Sequence, residues 1–253
     1  MMSQGLCVRP IQTEIFREGE DLVPFILENL KATGESLEGQ IVVITSKIMS
    51  LSEGAVRARE KFEKKDLIKD EAEYYLGEIA HACHLTIKHG LLIVTAGIDL
   101  SNSENADYIL LPKNPFESTK NLYLQLKAQL RIKNFGVLVT DSRTLPLRRG
   151  VSGCGLAYYG FKAVKNMIGA TDLFGRRLEM TQINFLDALA SSAVMMMGEA
   201  DECRPLALIS GAPVEFCDEQ TKNEVLVEPT EDLYYPMYRD LIAKYNNSKK
   251  EET

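Results

Sequence analysis

What this chain does not contain narrows its identity first. No apolar run is long enough to cross a bilayer; the best, Ala188 to Met197, is broken by Ser191 and Ser192. No basic stretch leads into an apolar core near the N-terminus, so there is no sign of a secretory signal. The five cysteines (7, 83, 154, 203 and 217) are odd in number and form no Cys-x-x-Cys pair, a pattern of free thiols in a reducing compartment rather than of a disulfide framework. There is no Gly-x-x-x-x-Gly-Lys-Ser/Thr loop and no internal repeat. Gly153-x-Gly155 is no dinucleotide fingerprint, because no suitable helix pattern follows it. Positive charge is in short supply, with 29 Lys and Arg against 36 Asp and Glu and a formal net charge of -7. That excludes the basic footprint of a general nucleic-acid binder. It leaves room for an anionic small substrate, since a cleft carries its own local charge. The expectation is a soluble cytoplasmic protein that contacts neither membrane nor nucleic acid.

The 253 residues suffice for one large domain or two small lobes around a buried core. Leu22, Phe25, Ile26 and Leu30 recur at helical spacing and predict a helix over 20–32. Ile41 to Thr45 reads as a buried strand, as do Leu91 to Thr95, Val137 to Thr140 and Leu206 to Ser210. Residues 61–83 are charge-rich and carry Leu67, Tyr74 or Tyr75, and Ile79 at helical spacing. Asn114-Pro115-Phe116-Glu117 has the form of a helix start, with Asn as cap, Pro in the first turn and Glu able to reach back. That helix presents Tyr123, Leu126 and Leu130 on one face and ends near 134–136. Gly150, Gly153, Gly155 and Gly160 make a glycine-rich stretch. Asn184 to Met197 is a strongly apolar helix stopped at Gly198. Residues 1–245 form one unit, and 246–253 are expected to be a disordered tail.

The chemistry-bearing segment is Val137-Leu-Val-Thr-Asp141-Ser142, followed by Arg148-Arg149-Gly150. An apolar run that ends in a carboxylate and a hydroxyl can hold a divalent cation, and two arginines beyond it can neutralise a polyanion. A second segment of the same type is Leu91-Leu-Ile-Val-Thr-Ala-Gly97-Ile-Asp99-Leu-Ser101-Asn102. The plainer alternative is that these Asp and Ser residues cap turns and helices. Ser46 and Lys47 follow a buried strand, where Lys is either a point charge for phosphate or an exposed strand-end residue. His81-Ala-Cys83-His84 lacks a second half to complete four zinc ligands. Met195, Met196 and Met197 are expected to be core packing.

Taken in order, several short motifs resemble the coenzyme F420-0:γ-glutamyl ligases, and more closely a branch described as folate-metabolism γ-glutamate ligases. They are Ile44-Thr-Ser46-Lys47-Ile-Met-Ser50-Leu-Ser-Glu53-Gly54, Ala96-Gly-Ile-Asp99-Leu-Ser-Asn102, Leu110-Leu-Pro112-Lys-Asn-Pro115, Val139-Thr-Asp141-Ser142, Pro146-Leu-Arg148-Arg149-Gly150, Asp172-Leu-Phe-Gly175-Arg176 and Met197-Gly198-Glu199. Each is weak alone; their order and spacing across nearly the whole chain are specific. The resemblance implies an α+β fold of two lobes in an intertwined homodimer. It implies a ligase that spends GTP (or ATP) with Mg2+ or Mn2+ to add L-glutamate to an acceptor carboxylate, F420-0 or folate. By the same resemblance Asp99, Asp141, Ser142 and Glu199 are metal ligands, with Ser142 retaining the hydroxyl of the family's usual Thr. Ser46, Lys47, Asn102 and the turn Met197-Gly198-Glu199-Ala200-Asp201 border the nucleotide. Arg148 and Arg149 either clamp an anionic acceptor or phosphate or, for at least one of them, are merely solvated, and Asp172 and Arg176 either shape the acceptor lobe or form a structural turn.

Two departures stand out. Leu51 replaces a second lysine of the deazaflavin enzymes, and Thr144-Leu145 replaces their Gly-Arg. Both bear on the acceptor and on GTP against ATP, and both motivate a rival reading as a nucleotide-binding sensor or partner subunit without catalysis. The proposed carboxylates remain in place.

Overall fold

The computed structural model describes residues 5–219 and 224–251, with side chains to Ser248. In chain order the strands are β1 (Cys7–Ile11), β2 (Gln40–Thr45), β3 (Val56–Arg57), β4 (Tyr74–Glu78), β5 (His84–Lys88), β6 (Leu91–Val94), β7 (Tyr108–Ile109), β8 (Phe135–Thr144), β9 (Val151–Tyr159), β10 (Val164–Asn166), β11 (Gln182–Asn184) and β12 (Leu206–Ser210). The helices are α1 (Leu22–Ala32), α2 (Ser46–Ser52), α3 (Lys64–Glu71), α4 (Pro115–Leu130), α5 (Phe185–Met197) and α6 (Tyr235–Glu251). Mixed strands and helices in separate layers agree with the α+β expectation.

The main sheet has the order β1-β12-β2-β8-β9. Its β2–β8 pair is parallel, and its other pairs are antiparallel. β2 reads as an unbroken apolar run because both its faces are covered. Val42 and Ile44 face α1 and α4 together with Val137, Val139, Leu206 and Leu208. Ile41 and Val43 face α5 together with Leu138, Ala207 and Ile209. Helix α1 starts where the Asp21 carboxylate accepts the Val23 N–H at 3.1 Å. Helix α5 starts where the Asn184 side chain accepts the Asp187 N–H at 3.0 Å.

Of the glycine-rich stretch, Gly153 and Gly155 lie within β9 and let α5 lie directly on the strand, while Gly150 and Gly160 flank it. A Cβ at Gly153 would stand 2.5 Å from the Ala190 carbonyl oxygen. One at Gly155 would stand 2.2 Å from the Leu186 Cγ. Beyond the main sheet, residues 56–109 supply the two-stranded β3–β7 pair and the sheet β4-β5-β6. Leu67, Ile68, Ile98, Tyr108 and Leu110 form a separate small core there.

Four expectations are corrected. The span 61–83 is α-helical only over Lys64–Glu71, where Leu67 and Ile68 bury one face. Tyr74 and Tyr75 then pair with Ile87 and Thr86 across β5, so cross-strand packing overrides the helical spacing. Asn114 makes no side-chain cap at the start of α4. Strand β8 continues through Asp141 and Ser142 to Thr144 as one arm of a hairpin. Residues 246–251, expected in a disordered tail, belong to α6, while 252 and 253 lie outside the described residues. That helix is anchored upstream by Tyr238 and Ile242, packed with Leu76 and Ile87. Strand β1 has no counterpart in the sequence reading; as an edge strand it tolerates Pro10.

Replacing Gly155 with Ala should destabilise the protein by about 1–3 kcal/mol through overpacking against Leu186. Urea unfolding measures this directly. Gly5→Ala, where an added Cβ meets nothing within 4 Å, is the control and should shift stability by less than about 0.5 kcal/mol.

Candidate functional site

The site is built at the carboxyl ends of the one parallel strand pair of the main sheet. β2 and β8 stop pairing at the same level, with Thr45 opposite Thr140. The residues that follow are therefore neighbours in space. Ser46 and Lys47 open α2, while Asp141 and Ser142 lie on the extension of β8 toward β9. The β8–β9 register shifts between Val139 and Thr140, a bulge that re-aims the strand at this point.

The loop after β6 brings in Asp99. Thr95, Ala96 and Gly97 have φ of 61°, 53° and 71°. For the two residues with a Cβ this conformation costs on the order of 1–3 kcal/mol each. Tertiary bonds hold it: the Ala96 N–H donates to Thr86 Oγ1 at 2.9 Å. Asp99 exchanges backbone hydrogen bonds of 3.0 and 2.9 Å with Ile109. The fourth element is the turn after α5, entered through Gly198 at φ 92°. A side chain at 198 would collide with the Glu202 carboxylate, 2.2 Å away from its Cβ.

Side-chain bonds tie these segments together. Lys47 Nζ donates to Asp99 Oδ2 at 2.7 Å, to the Ser101 carbonyl at 2.7 Å and to Ser101 Oγ at 3.0 Å. The Ser142 hydroxyl donates to Glu199 Oε2 at 3.2 Å. Asn102 Nδ2 donates to the Ala200 carbonyl at 2.9 Å, joining the Asp99 loop to the turn after α5. The Glu202 carboxylate accepts the Ala200 N–H at 2.8 Å.

A cavity of about 530 Å³ opens among them. Ser46, Lys47, Asp99, Asn102, Asp141, Ser142, Met197, Gly198, Glu199, Ala200 and Asp201 all line it, although they span more than 150 positions of sequence. Its wall holds seven carboxylates (Glu14, Asp99, Glu104, Asp141, Glu199, Asp201 and Glu202) against three cations, Arg17, Lys47 and Arg204. Burial pushes Asp141 up to about 6, with repulsion from Asp99 adding to it and the Ser142 N–H, Ser46 and Lys47 opposing it. Burial also raises Glu199, partly offset by Ser142 and Lys47. Asp99 moves the other way: burial alone would raise it, but the hydrogen bonds from Lys47 and Ser101 outweigh that and hold it below the usual carboxylate range.

This donor set of carboxylates and a hydroxyl suits a hard divalent ion such as Mg2+ or Mn2+, which would relieve the burial of the only partly compensated Asp141 and Glu199. The carboxylates are not drawn into a preformed cluster: among the described residues no three His, Cys, Asp or Glu side chains group closely enough to hold a metal. Any ion would have to draw them together.

Several sequence candidates fall elsewhere. Arg148 and Arg149 are exposed on the turn between β8 and β9 and do not line the cavity, because the hairpin carries them away from Asp141. Asp172 and Arg176 bond to each other at 2.9 Å in an exposed turn. His84 Nδ1 lies 2.8 Å from the Tyr75 hydroxyl. Met197 is buried as expected of core, but Met195 and Met196 are exposed. A larger cavity of about 900 Å³, between β4–β6, the start of α4 and residues 226–232, contains none of the candidate site residues. Conversely, the sequence reading names Ser101 only as part of the second candidate segment, with no role of its own, and assigns none to the Glu14–Arg17 segment, Glu202 or Arg204. An Asp-x-Ser turn was the available signal for Ser101; the others carry no pattern.

Comparison with known proteins gives this geometry a context. The profile of the F420-0:γ-glutamyl ligase family matches residues 10–211. A coenzyme F420:L-glutamate ligase of Methanocaldococcus jannaschii is 33% identical over 239 residues, covering 88% of this chain and 93% of that protein. The protein of the same name from Archaeoglobus fulgidus is 29% identical over 235 residues, covering 87% and 92%. The chain belongs to the F420-0:γ-glutamyl ligase family, whose members are amide-forming ligases.

The Asp141 environment predicts a stability change with a definite sign. Its folded pKa near 6 lies above the roughly 3.9 of an unfolded Asp, so between these values only the native state keeps the proton. Above pH 6 the ionised side chain costs the native state on the order of 2–3 kcal/mol. Asp141→Asn should therefore raise the melting temperature at pH 7.5, and the gain should vanish below about pH 4. A variant that melts at or below the parent at pH 7.5 would refute a desolvated carboxylate here.

Proposed function

We propose that this member of the F420-0:γ-glutamyl ligase family joins L-glutamate to the carboxylate of an acceptor, activating that carboxylate with a nucleoside triphosphate, GTP or ATP. The observation that carries the reading is the carboxylate excess of the cavity that gathers the candidate residues. A triphosphate cannot enter a wall of that charge unaccompanied, whereas a triphosphate with Mg2+ or Mn2+ can.

Asp99, Asp141, Ser142 and Glu199 would hold the ion, which when bound neutralises charge developing on the phosphate oxygens. Ser46 and Lys47 face the phosphates from the start of α2. Asn102 and the turn Met197–Asp201 border the nucleotide, and Phe16, Ile48 and Leu51 give the cavity an apolar wall that limits water. In the first step an oxygen of the acceptor carboxylate attacks the terminal phosphorus, and the bond from that phosphorus to the nucleoside diphosphate breaks. In the second the glutamate amine attacks the acyl carbon, phosphate leaves, and the amine gives up a proton. Arg148 and Arg149, outside the cavity, touch no reacting atom in this scheme.

The family's description favours coenzyme F420-0 as acceptor, in keeping with relatives named coenzyme F420:L-glutamate ligases. Folate is the second reading, motivated by Leu51, which lines the cavity where the deazaflavin enzymes carry a cation. Five free cysteines suit the reducing cytoplasm where such nucleotides are found. Among the described residues no helix is long and apolar enough to cross a membrane. A homodimer is supported by the arm between β10 and β11, whose tip exposes Leu173 and Phe174 at 98% and 83%.

Incubating the protein with GTP or ATP, Mn2+, L-glutamate and either F420-0 or a folate monoglutamate should yield a glutamyl adduct by mass spectrometry. Asp141→Ala should lower turnover by at least about 10²-fold with an unchanged circular dichroism spectrum. No adduct with either acceptor, from folded protein, argues against a ligase. Metal-dependent nucleotide binding without phosphate release would instead favour the non-catalytic sensor. Light scattering should give twice the chain mass, falling to one chain mass when Leu173 and Phe174 are both replaced by Glu.

A further inference from the structure

Lys47 is bonded in a way that meeting a phosphate does not require. An ammonium has three protons to donate, and three oxygens surround this one: Asp99 Oδ2 and the Ser101 carbonyl at 2.7 Å, and Ser101 Oγ at 3.0 Å. The cage is stiffened from within. Ser101 Oγ donates to Asp99 Oδ2 at 2.7 Å, and the Ser101 N–H donates to Asp99 Oδ1 at 2.8 Å. Its backbone is pinned by the bridge to Ile109. A carboxylate, a carbonyl and a hydroxyl around one positive centre are the ligand types of a hard-cation site, with a tethered nitrogen at the middle. Lys47 is the cation whose charge acts on Asp99, Asp141 and Glu199 alike.

We propose that Lys47 is a built-in stand-in for a divalent cation at Asp99: an entering ion displaces the ammonium from the Asp99–Ser101 loop, and the released ammonium turns into the cavity to meet the phosphates. This deepens the preceding section and rests on its view that the cavity takes a cation with a triphosphate. The exchange has two consequences. A cation alone binds weakly, because it must first break the ammonium's hydrogen bonds to three acceptor oxygens, one of them the ion pair with Asp99. A triphosphate offers the freed ammonium a new partner, so cation and nucleotide bind with a positive coupling beyond their contact with each other. If Lys47 were instead a permanent structural partner of Asp99, the cation would use Asp141 and Glu199 alone and the coupling would be absent.

Mn2+ binding to the full chain, followed by loss of the free-ion electron paramagnetic resonance signal without nucleotide, tests this. Lys47→Met should tighten Mn2+ by about tenfold or more. Arg204→Met removes a positive charge from the same cavity without contact to Asp99 and should change affinity by less than about threefold. Adding a non-hydrolysable triphosphate should improve Mn2+ affinity by a smaller factor in Lys47→Met than in the parent. On the parent itself, the Lys47 side-chain ¹⁵N resonance should move or broaden when Mg2+ is added alone, a measurement that does not depend on the variant folding. The proposal fails if Lys47→Met binds Mn2+ no tighter than the parent, or matches Arg204→Met, or if the resonance stays put at saturating Mg2+, while Asp141→Asn still weakens binding. If neither parent nor Lys47→Met binds Mn2+ at all, the cation-site reading falls with it.

Discussion

The parallel pairing of β2 with β8 is the constraint on which the site depends. Because the two strands run the same way and release each other at Thr45 and Thr140, the chain leaves both at one edge of the sheet. One exit becomes Ser46-Lys47 and the other Asp141-Ser142. Antiparallel pairing would have sent the two exits to opposite edges. Ligand sites collect at such carboxyl ends because the following loops diverge there and leave a crevice. Here the loop after β6 and the turn after α5 close the crevice from two further sides. The Asn102–Ala200 and Ser142–Glu199 hydrogen bonds join those elements across it.

This arrangement is held against several local costs. Asp141 carries a desolvated charge that the Asp99 carboxylate repels. Thr95 and Ala96 sit in backbone conformations that favour glycine. Strand β9 gives up side chains at Gly153 and Gly155 so that α5, and with it Glu199, can approach β8. The compensation lies in the layers behind the site, where β2 is buried on both faces and α1, α4 and α5 cover the sheet. Binding sites commonly concentrate strain of this kind, and a well-packed frame is what lets it persist.

Much of the site was legible because its residues sit at element ends, where sequence patterns change abruptly. An apolar run halted by Asp141, another followed by Ser46-Lys47, and a helix halted at Gly198 each announce themselves. What stayed hidden were pairings over long separations. The Lys47–Asp99 ion pair joins residues 52 positions apart and has no local signature. Arg148 and Arg149 lie outside the cavity for the opposite reason. They are close to Asp141 in sequence, but β8 continues as an extended strand to Thr144, and each residue adds about 3.3 Å of separation. The strand at 74–78 was hidden by tyrosines that also fit a helical period, and what decides it is the partner strand at 84–88.

On the proposed function, the carboxylate excess accounts for how an acidic chain would handle an anionic substrate. A wall made basic enough to attract triphosphate unaided would hold any polyanion, product included. On that function, a wall of seven carboxylates with three cations, one of them a lysine tethered to Asp99, would repel a bare phosphate chain and admit it with its cation, so the charge needed for binding would arrive with the substrate and depart with the product. Lys47, held at Asp99 by the geometry of a single loop, keeps the wall from being so negative that the carboxylates repel one another out of place. Selectivity for a metal-loaded nucleotide would, on the same proposed function, follow from this charge pattern, with no need for a glycine-rich phosphate loop.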